Sequence, residues 1–209
     1  VPTDGTTVFA PTTYTGDGSA NLTVNAGSLP YVDLVINNNR DNGASHPFDD
    51  RLRGSVALYS DTTGAESASR VYFDQQGSVR QGDGSVAWYN GNLFLYDNWS
   101  FRRAPSFFDE VCYTGTGSAT TVTHNLTVPP ELIIFKNRNT AGYDWITVYP
   151  KDVGGYLSGA INKTYSMGYI TYSNGGSPLY LSSAPTSTTA PTVPPRSICA
   201  AWAATAPWC

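Results

Sequence analysis

One phrase is written twice in this chain of 209 residues. Tyr14-Thr-Gly-Asp-Gly-Ser-Ala20 returns as Tyr113-Thr-Gly-Thr-Gly-Ser-Ala119, at an offset of 99. Each copy continues through a Thr- and Asn-rich stretch to a proline and then to an apolar run closed by a basic residue. The first run is Val32-Asp-Leu-Val-Ile-Asn-Asn-Asn-Arg40 and the second is Pro130-Glu-Leu-Ile-Ile-Phe-Lys-Asn-Arg138, now at an offset of 98. An acid, four mostly apolar positions, Asn and Arg in one order, twice, mark a duplicated fold unit. Solenoids and propellers repeat every 20–50 residues or so, so this unit is a domain in size. The expectation is two tandem, related β-sandwich-like repeats: residues 1–104, with a short N-terminal arm over 1–8, and residues 105–209.

The unit has to be built from strands, because no long segment carries apolar residues at the 3.6-residue spacing of a helix. The best helical candidate, Gly64-Ala-Glu-Ser-Ala-Ser-Arg70, is one or two turns long and has no apolar face. Residues 34–36 and 132–135 are apolar without polar alternation, which predicts central strands covered on both faces. Trp145-Ile-Thr-Val-Tyr149 alternates and reads as half-buried. Val86-Ala-Trp-Tyr89, Asn90-Gly91 and Asn92-Leu-Phe-Leu-Tyr96 form the strongest hairpin signal, since Asn-Gly supplies the positive φ angles of a type I′ turn. Met167-Gly-Tyr-Ile-Thr-Tyr172 and Pro178-Leu-Tyr-Leu181 predict a second hairpin with a longer loop. The join between the copies falls near Arg102-Arg-Ala-Pro105. The Pro/Thr run over 184–195 predicts an extended excursion, with a last strand over 198–203.

Composition narrows the function. Charged residues make up 13% and the net charge is -4, whereas a nucleic-acid binder carries a basic footprint. There is no apolar stretch of about 20 residues to span a bilayer as a helix. The three cysteines are not spaced as zinc ligands, and a Cys199–Cys209 bridge would form only in an oxidising setting.

Catalysis finds little footing. His46 and His124 each sit in a polar context and read as solvated side chains. Asp49-Asp50 and Asp109-Glu110 are adjacent pairs, and neighbours on a strand point to opposite faces, so they read as loop polarity and strand ends. The Gly-Asp-Gly-Ser turns around Asp17 and Asp83 lack the spaced oxygen ligands and closing Glu of a calcium loop and read as plain β-turns. No catalytic, cofactor-binding or metal residue is assigned, and no cofactor is expected. What remains is surface. With 14 Tyr and five Trp, rigid aromatics could contact a partner at low entropic cost. Trp88, Trp99 and Trp145 are expected in the core. Tyr165, Tyr169, Tyr172 and Tyr180, around the second hairpin, are the candidate contact residues.

Trp99-Ser-Phe-Arg-Arg-Ala-Pro-Ser-Phe-Phe-Asp109, Val111-Cys-Tyr-Thr-Gly-Thr-Gly-Ser118 and His124-Asn-Leu-Thr-Val-Pro-Pro-Glu-Leu-Ile-Ile-Phe-Lys-Asn-Arg138 resemble a repeat module of tailed-bacteriophage virion proteins, common in phages of cyanobacteria and marine bacteria. Members of that family carry a Tyr-Thr-Gly-Asn-Gly opening, a His-Gly-Leu or His-Asn-Leu turn, a Pro-Asp/Glu-Leu-Ile-Ile-Val-Lys-Asn-Arg strand and a closing Val-Ala-Trp-X-Phe-Arg-Lys-Ala-Pro. Phe48-Asp-Asp-Arg-Leu-Arg-Gly54 is similar to its Phe-Asp-X-Val-Arg-Gly segment, and Tyr59-Ser-Asp-Thr-Thr63 to its Tyr-Leu-Ser-X-Asn-Thr-Thr. The second copy departs from the pattern, with Val153-Gly-Gly155 for the Arg-Gly segment and Ile198-Cys-Ala-Ala-Trp202 as its closing strand.

The resemblance implies a non-enzymatic virion protein of the tail, tail fibre or capsid fibre. The expected partners are other virion proteins, further copies of the chain (a trimer for a fibre) and a glycan or protein on the host surface. The expected location is the virion, without nucleic-acid binding or membrane insertion. Capsid decoration is the alternative role. A secreted carbohydrate-active enzyme is a distant third that would need two carboxylates converging in a cleft.

Overall fold

A computed structural model describes residue 2 and residues 4–82, 87–115, 120–151, 155–164, 168–170, 188–190 and 197–202. Residues 120, 149–151, 155–158, 168–170, 188–190 and 197–202 are described by their backbone alone. The fold is all-β, with antiparallel sheets. The one helical element among the described residues is a 3-10 turn, Gly5–Thr7, capped by the Asp4 carboxylate, which accepts from the Thr6 amide at 2.9 Å. Residues 64–66 are not helical, and Ser67–Ala68 is a short strand.

The chain divides into two compact units, one of Pro2–Thr62 and Glu66–Arg102 and the other mainly of Arg103–Cys209. The first contains β1 (Phe9–Thr15), β2 (Asn21–Asn25), β3 (Leu34–Asn39), β4 (Pro47–Asp50), β5 (Val56–Tyr59), β6 (Ser67–Ala68), β7 (Val71–Tyr72), β8 (Ser78–Gly82) and β9 (Leu95–Phe101). Six strands form a sheet in the order β1-β9-β3-β4-β5-β6, and three form a second sheet in the order β2-β8-β7. Both sheets supply one core: Ala10 of β1 and Val35 of β3 meet Val24 of β2, Val71 of β7 and Val79 of β8, with Leu29, Val32 and Tyr89 from the connections. This is a two-layer arrangement in which alternate residues of each strand face inward. Each buried Val or Leu there stabilises the unit by about 1.5–3 kcal/mol.

The second unit contains β10 (Phe108–Tyr113), β11 (Thr120–Val122), β12 (Leu132–Asn137), β13 (Ile146–Lys151), β14 (Gly155–Ala160), β15 (Gly168–Ile170), β16 (Thr188–Ala190) and β17 (Ser197–Trp202). Its larger sheet runs β10-β17-β12-β13-β14-β15, and β11 pairs with β16. Ile133, Phe135 and Val148 pack together with Tyr113 against them. In both large sheets the unit's last strand lies between its first and third. The registers correspond as well: Phe101 lies opposite Phe9 and Leu34, and Trp202 opposite Phe108 and Leu132.

The uninterrupted apolar runs are central strands, β3 and β12, each paired on both sides. The alternation expected over 145–149 is not seen: Trp145, just before β13, and Val148 are both buried although three positions apart, and Ile146, on the same face as Val148, is exposed. The hairpin expected over 86–96 does not form. Residues 87–89 make a turn, β9 begins at Leu95, and β9 pairs with β1 and β3 instead. In this loop it is Leu93, not Asn90 or Gly91, that takes positive φ. Of the second expected hairpin, Gly168–Ile170 is β15 and pairs with β14, while residues 165–167 and 171–181 lie outside the described residues. Of the Pro/Thr run, only β16 is described.

Candidate functional site

The largest concentration of polar chemistry lies inside the first unit, around the Phe48–Arg53 segment. Asp49 and Asp50 do point to opposite faces of β4, but neither is solvated, because both are fully buried. Asp49 faces the core, where it accepts from the Ser69 hydroxyl at 2.5 Å and the Tyr89 hydroxyl at 3.5 Å. Burial pushes its carboxyl up to about 7, against the hydrogen bond from Ser69 and the nearby charge of Arg53. Its second oxygen has no partner. Burial also raises the Tyr89 and Tyr14 hydroxyls well above the usual phenol value. Asp50 forms a buried ion pair with Arg53, whose side chain is only 1% exposed; the same guanidinium donates to the Phe48 carbonyl at 2.7 Å. Arg51 straps the segment down by donating to the Val32 carbonyl at 2.8 and 3.0 Å and to the Phe73 carbonyl at 2.9 Å.

A second polar set holds the 87–94 loop. Asn37 donates to the Trp88 carbonyl at 2.8 Å, Asn39 and the Tyr96 hydroxyl donate to the Ala87 carbonyl at 2.7 Å each, and the Tyr14 hydroxyl donates to the Tyr89 carbonyl. Tyr14 and Tyr96 stack with ring centroids 4.8 Å apart. Asn90 is buried and donates to Asp17 at 2.8 Å and to the Ser19 carbonyl at 2.9 Å, while its own carbonyl accepts from the Asp17 amide at 3.0 Å. A Cβ on Gly16 would collide with the Gly91 carbonyl, so the two backbones can pass only because Gly16 lacks one. Residues 16–19, expected as a plain β-turn, are an irregular connection whose Gly16 and Gly18 amides donate to the Phe94 and Asn90 carbonyls, with Asp17 accepting from the Ser19 amide at 2.8 Å and Gly18 at φ 69. Asp83 lies outside the described residues.

In the second unit Asp109 and Glu110 are buried in β10, not solvated. Asp109 accepts from the Asn125 amide at 2.7 Å. His124 is buried too, and its Nδ1 accepts from the Leu126 amide at 3.2 Å. Burial lowers its pKa, opposed by Asp109. His124 thus does what Asn25 does in the first unit, where Oδ1 accepts from the Gly27 amide at 2.6 Å: it closes a local turn. Lys136 is 1% exposed, donates to the Asn137 carbonyl at 2.9 Å, and is pushed down to about 8 by burial, opposed by Asp144. No group of three or more His, Cys, Asp or Glu side chains among the described residues is placed to hold a metal.

The aromatics part company with expectation. Trp145 is core at 3% exposure, but Trp99 is 49% and Trp88 39% exposed. In β9, Tyr96, Asn98 and Ser100 face inward, which leaves Leu95 and Trp99 on the outer face. There Trp99 lies between Pro11 of β1 and Ile36 of β3, and Asp97 lies between Thr13 and Asn38. Trp88 makes an edge contact with Tyr59, ring centroids 5.2 Å apart. Sequence reasoning missed this surface. The alternation of β9 carries the signal: Tyr96 turns inward to the loop, and Asn98 and Ser100 turn inward with it, the Ser100 hydroxyl donating to Asn98 Oδ1 at 3.3 Å. Of the four tyrosines expected at a contact surface, Tyr165, Tyr172 and Tyr180 lie outside the described residues, and Tyr169 is described only as backbone of β15.

The described residues define an all-β protein of two sheet-built units whose interior polar groups hold the frame, with Trp99 and Leu95 exposed beside Asp97 on the outer face of the first. The chain belongs to the family described as a domain of unknown function (DUF7483), whose model matches residues 4–189. No curated protein and no solved structure matches it.

Proposed function

We propose that the chain is a non-catalytic structural component of a tailed-bacteriophage virion, carried on the tail or a tail fibre and taking part in host-surface contact. The ordered run of motifs from Trp99 to Arg138, and its resemblance to the phage repeat module, carries this reading. Two further observations support it. The matching strand orders and registers fit two copies of one β unit, the construction that the module resemblance implies. Asp49, Asp50 and Asp109 are each engaged by the frame, while Trp99 and Leu95 face out from β9, a strand paired on both sides. Exposed aromatics on a rigid sheet suit recognition, because little side-chain freedom is lost on contact. The protein acts as a homo-oligomer, a trimer in a fibre, alongside other virion subunits, since assembly on symmetric particles favours closed point groups.

Immunogold electron microscopy of intact phage with an antibody against this chain tests the reading. Label on the tail or its fibres, together with antibody that blocks adsorption to the host, supports it. Label over the capsid replaces it with a decoration role, and no label on any particle overturns the virion assignment.

A further inference from the structure

The sequence holds three Asn-Gly dipeptides, at Asn42, Asn90 and Asn174, of which the third lies outside the described residues. Asn-Gly is chemically labile in a known sense. The glycine amide nitrogen can attack the asparagine Cγ, forming a C–N bond and closing a five-membered succinimide as ammonia leaves. Water then opens the ring at either carbonyl to give aspartate or isoaspartate. The reaction needs an attacking nitrogen that is not already donating a hydrogen bond, a carboxamide that can turn, and room for the ring.

The fold treats the two described dipeptides in opposite ways. Asn90 and Gly91 are both buried. Both amide hydrogens of Asn90 are committed, to Asp17 at 2.8 Å and to the Ser19 carbonyl at 2.9 Å, and its Oδ1 accepts at 3.0 Å. The would-be nucleophile, the Gly91 nitrogen, donates to the Tyr96 hydroxyl at 2.8 Å. Attack at residue 90 would break four hydrogen bonds in a closed interior, each costly to leave unmade.

Asn42 and Gly43 lie exposed in the connection between β3 and β4. The Asn42 Oδ1 accepts from the Ala44 amide at 2.9 Å. This bond folds the carboxamide back over the Gly43 peptide and aims a donor at the oxygen on which negative charge develops during attack, the same electrostatic help that an oxyanion hole gives. Its Nδ2, the leaving group, is not held, and neither is the Gly43 nitrogen. On the N-terminal side the Asn42 amide donates to Asn39 Oδ1 at 3.2 Å.

We propose that Asn42 is a site of spontaneous succinimide formation in the folded protein, giving aspartate and isoaspartate at the β3–β4 connection, and that the fold protects Asn90 from the same chemistry. The product places a new carboxylate beside Asp41, whose own carboxylate accepts from the Leu95 amide at 2.5 Å. The isoaspartate form also adds a methylene to the main chain next to the Asn39 turn.

The test is to hold the full-length protein in mildly alkaline buffer, folded and in urea, digest it at acidic pH and map the peptides by mass spectrometry. Isoaspartyl methyltransferase labelling identifies the isomer. In the folded protein, the amide-to-acid mass change should build up severalfold faster at residue 42 than at residue 90, and the two rates should converge in urea. Equal rates in the folded protein would overturn the proposal, as would a residue 42 that reacts only in urea. Gly43→Ala is a second arm: an added Cβ meets nothing within 4 Å and the backbone there is not left-handed, so the substitution fits the fold. By crowding the attacking nitrogen it should slow residue 42 severalfold, and unchanged kinetics would equally sink the assignment.

Discussion

The two units fill matching strand positions with different chemistry, and the difference follows what each strand has to hold. β3 reads Leu34-Val-Ile-Asn-Asn-Asn39 and β12 reads Leu132-Ile-Ile-Phe-Lys-Asn137. The first halves are interchangeable, and Val35 and Ile133 both face a core. The second halves diverge at Asn37 against Phe135, both buried. Asn37 donates to the Trp88 carbonyl and accepts from Tyr14, whereas Phe135 packs with Ile133 and Val148. A buried loop has carbonyls that no ladder satisfies. In the first unit, Asn37, Asn39, Tyr14 and Tyr96 supply the missing donors. This part of the polar interior therefore answers the backbone of the 87–94 loop.

The sharpest way to break the comparison is at the charges that the first unit buries. Arg53→Met should leave Asp50 buried without its partner, and breaking such a pair costs about 3–5 kcal/mol. Urea unfolding would read this as a lower midpoint. Asp50→Asn in the Arg53→Met background should return much of the loss, because the uncompensated charge goes with it. A double variant no better than the single would show that the guanidinium acts through packing and its bond to the Phe48 carbonyl.

pH separates the units next. Asp49 is raised from 3.8 to about 7, so between those values the folded protein holds a proton that the unfolded chain has released. Stability is then greatest below the ordinary carboxylate value and falls as pH rises through about 7, at about 1.4 kcal/mol for each pKa unit and a few kcal/mol in all. Lys136 runs the other way. Lowered from 10.5 to about 8, it makes the unfolded chain the better proton binder between those values, so stability rises with pH across that interval. Urea midpoints followed against pH should slope downward from about 4 to 7 and turn upward above 8. Asp49→Asn, which keeps an acceptor for the Ser69 hydroxyl, should flatten the first slope, and Lys136→Met the second. A wild-type profile that each variant leaves unchanged would remove both groups from the account.

Much of the frame is legible in the sequence and the site is not, for one physical reason. β3 and β12 can be read because burial pattern is local: an uninterrupted apolar run is a central strand. The partners that decide the rest lie far along the chain. Asn90-Gly91 looks like a hairpin turn until Asp17 and Ser19, more than 70 positions away, claim its amide. Asp49 looks like loop polarity until Ser69 and Tyr89 close around it. The opposite facing of Asp49 and Asp50 was readable from strand geometry, whereas their burial was not. Trp99 looks like core because it is large and apolar, yet its neighbours Asn98 and Ser100 are the residues turned inward.

Swapping the divergent position tests whether the 87–94 loop sets the chemistry of β3. Asn37→Phe, which installs the second unit's residue, should cost about 1–3 kcal/mol for the unpaired Trp88 carbonyl and about as much again for overpacking. Asn37→Asp, nearly the same shape, keeps the volume but loses the donor and buries a carboxylate, so it should be no milder. If Asn37→Phe is tolerated, the loop does not need its donor and the contrast between the strands is one of drift.

The smallest effect probes what the units share. Asn39 Oδ1 accepts from the Asp41 and Asn42 amides at 2.9 and 3.2 Å, and Asn137 Oδ1 accepts from the Asn139 and Thr140 amides at 3.2 and 2.9 Å. Both close the same turn at the end of a central strand, by the side-chain mimicry of backbone that Asn provides. Only Asn39 also reaches the Ala87 carbonyl, with its Nδ2; the Nδ2 of Asn137 is buried without a partner. Asn137→Asp therefore gives up an unbonded donor while keeping the turn's acceptor, although it buries a carboxylate, whereas Asn137→Ala gives up the turn itself, at about 1 kcal/mol for its hydrogen bonds. Asn39→Ala should cost more by the bond to Ala87, about another 1 kcal/mol. Paired urea midpoints decide the matter: a larger loss at Asn39 than at Asn137 means that the turn residue has a second task in the first unit. Equal losses mean that the Ala87 carbonyl is adequately served by Tyr96 alone, and that the turn is all either asparagine is for.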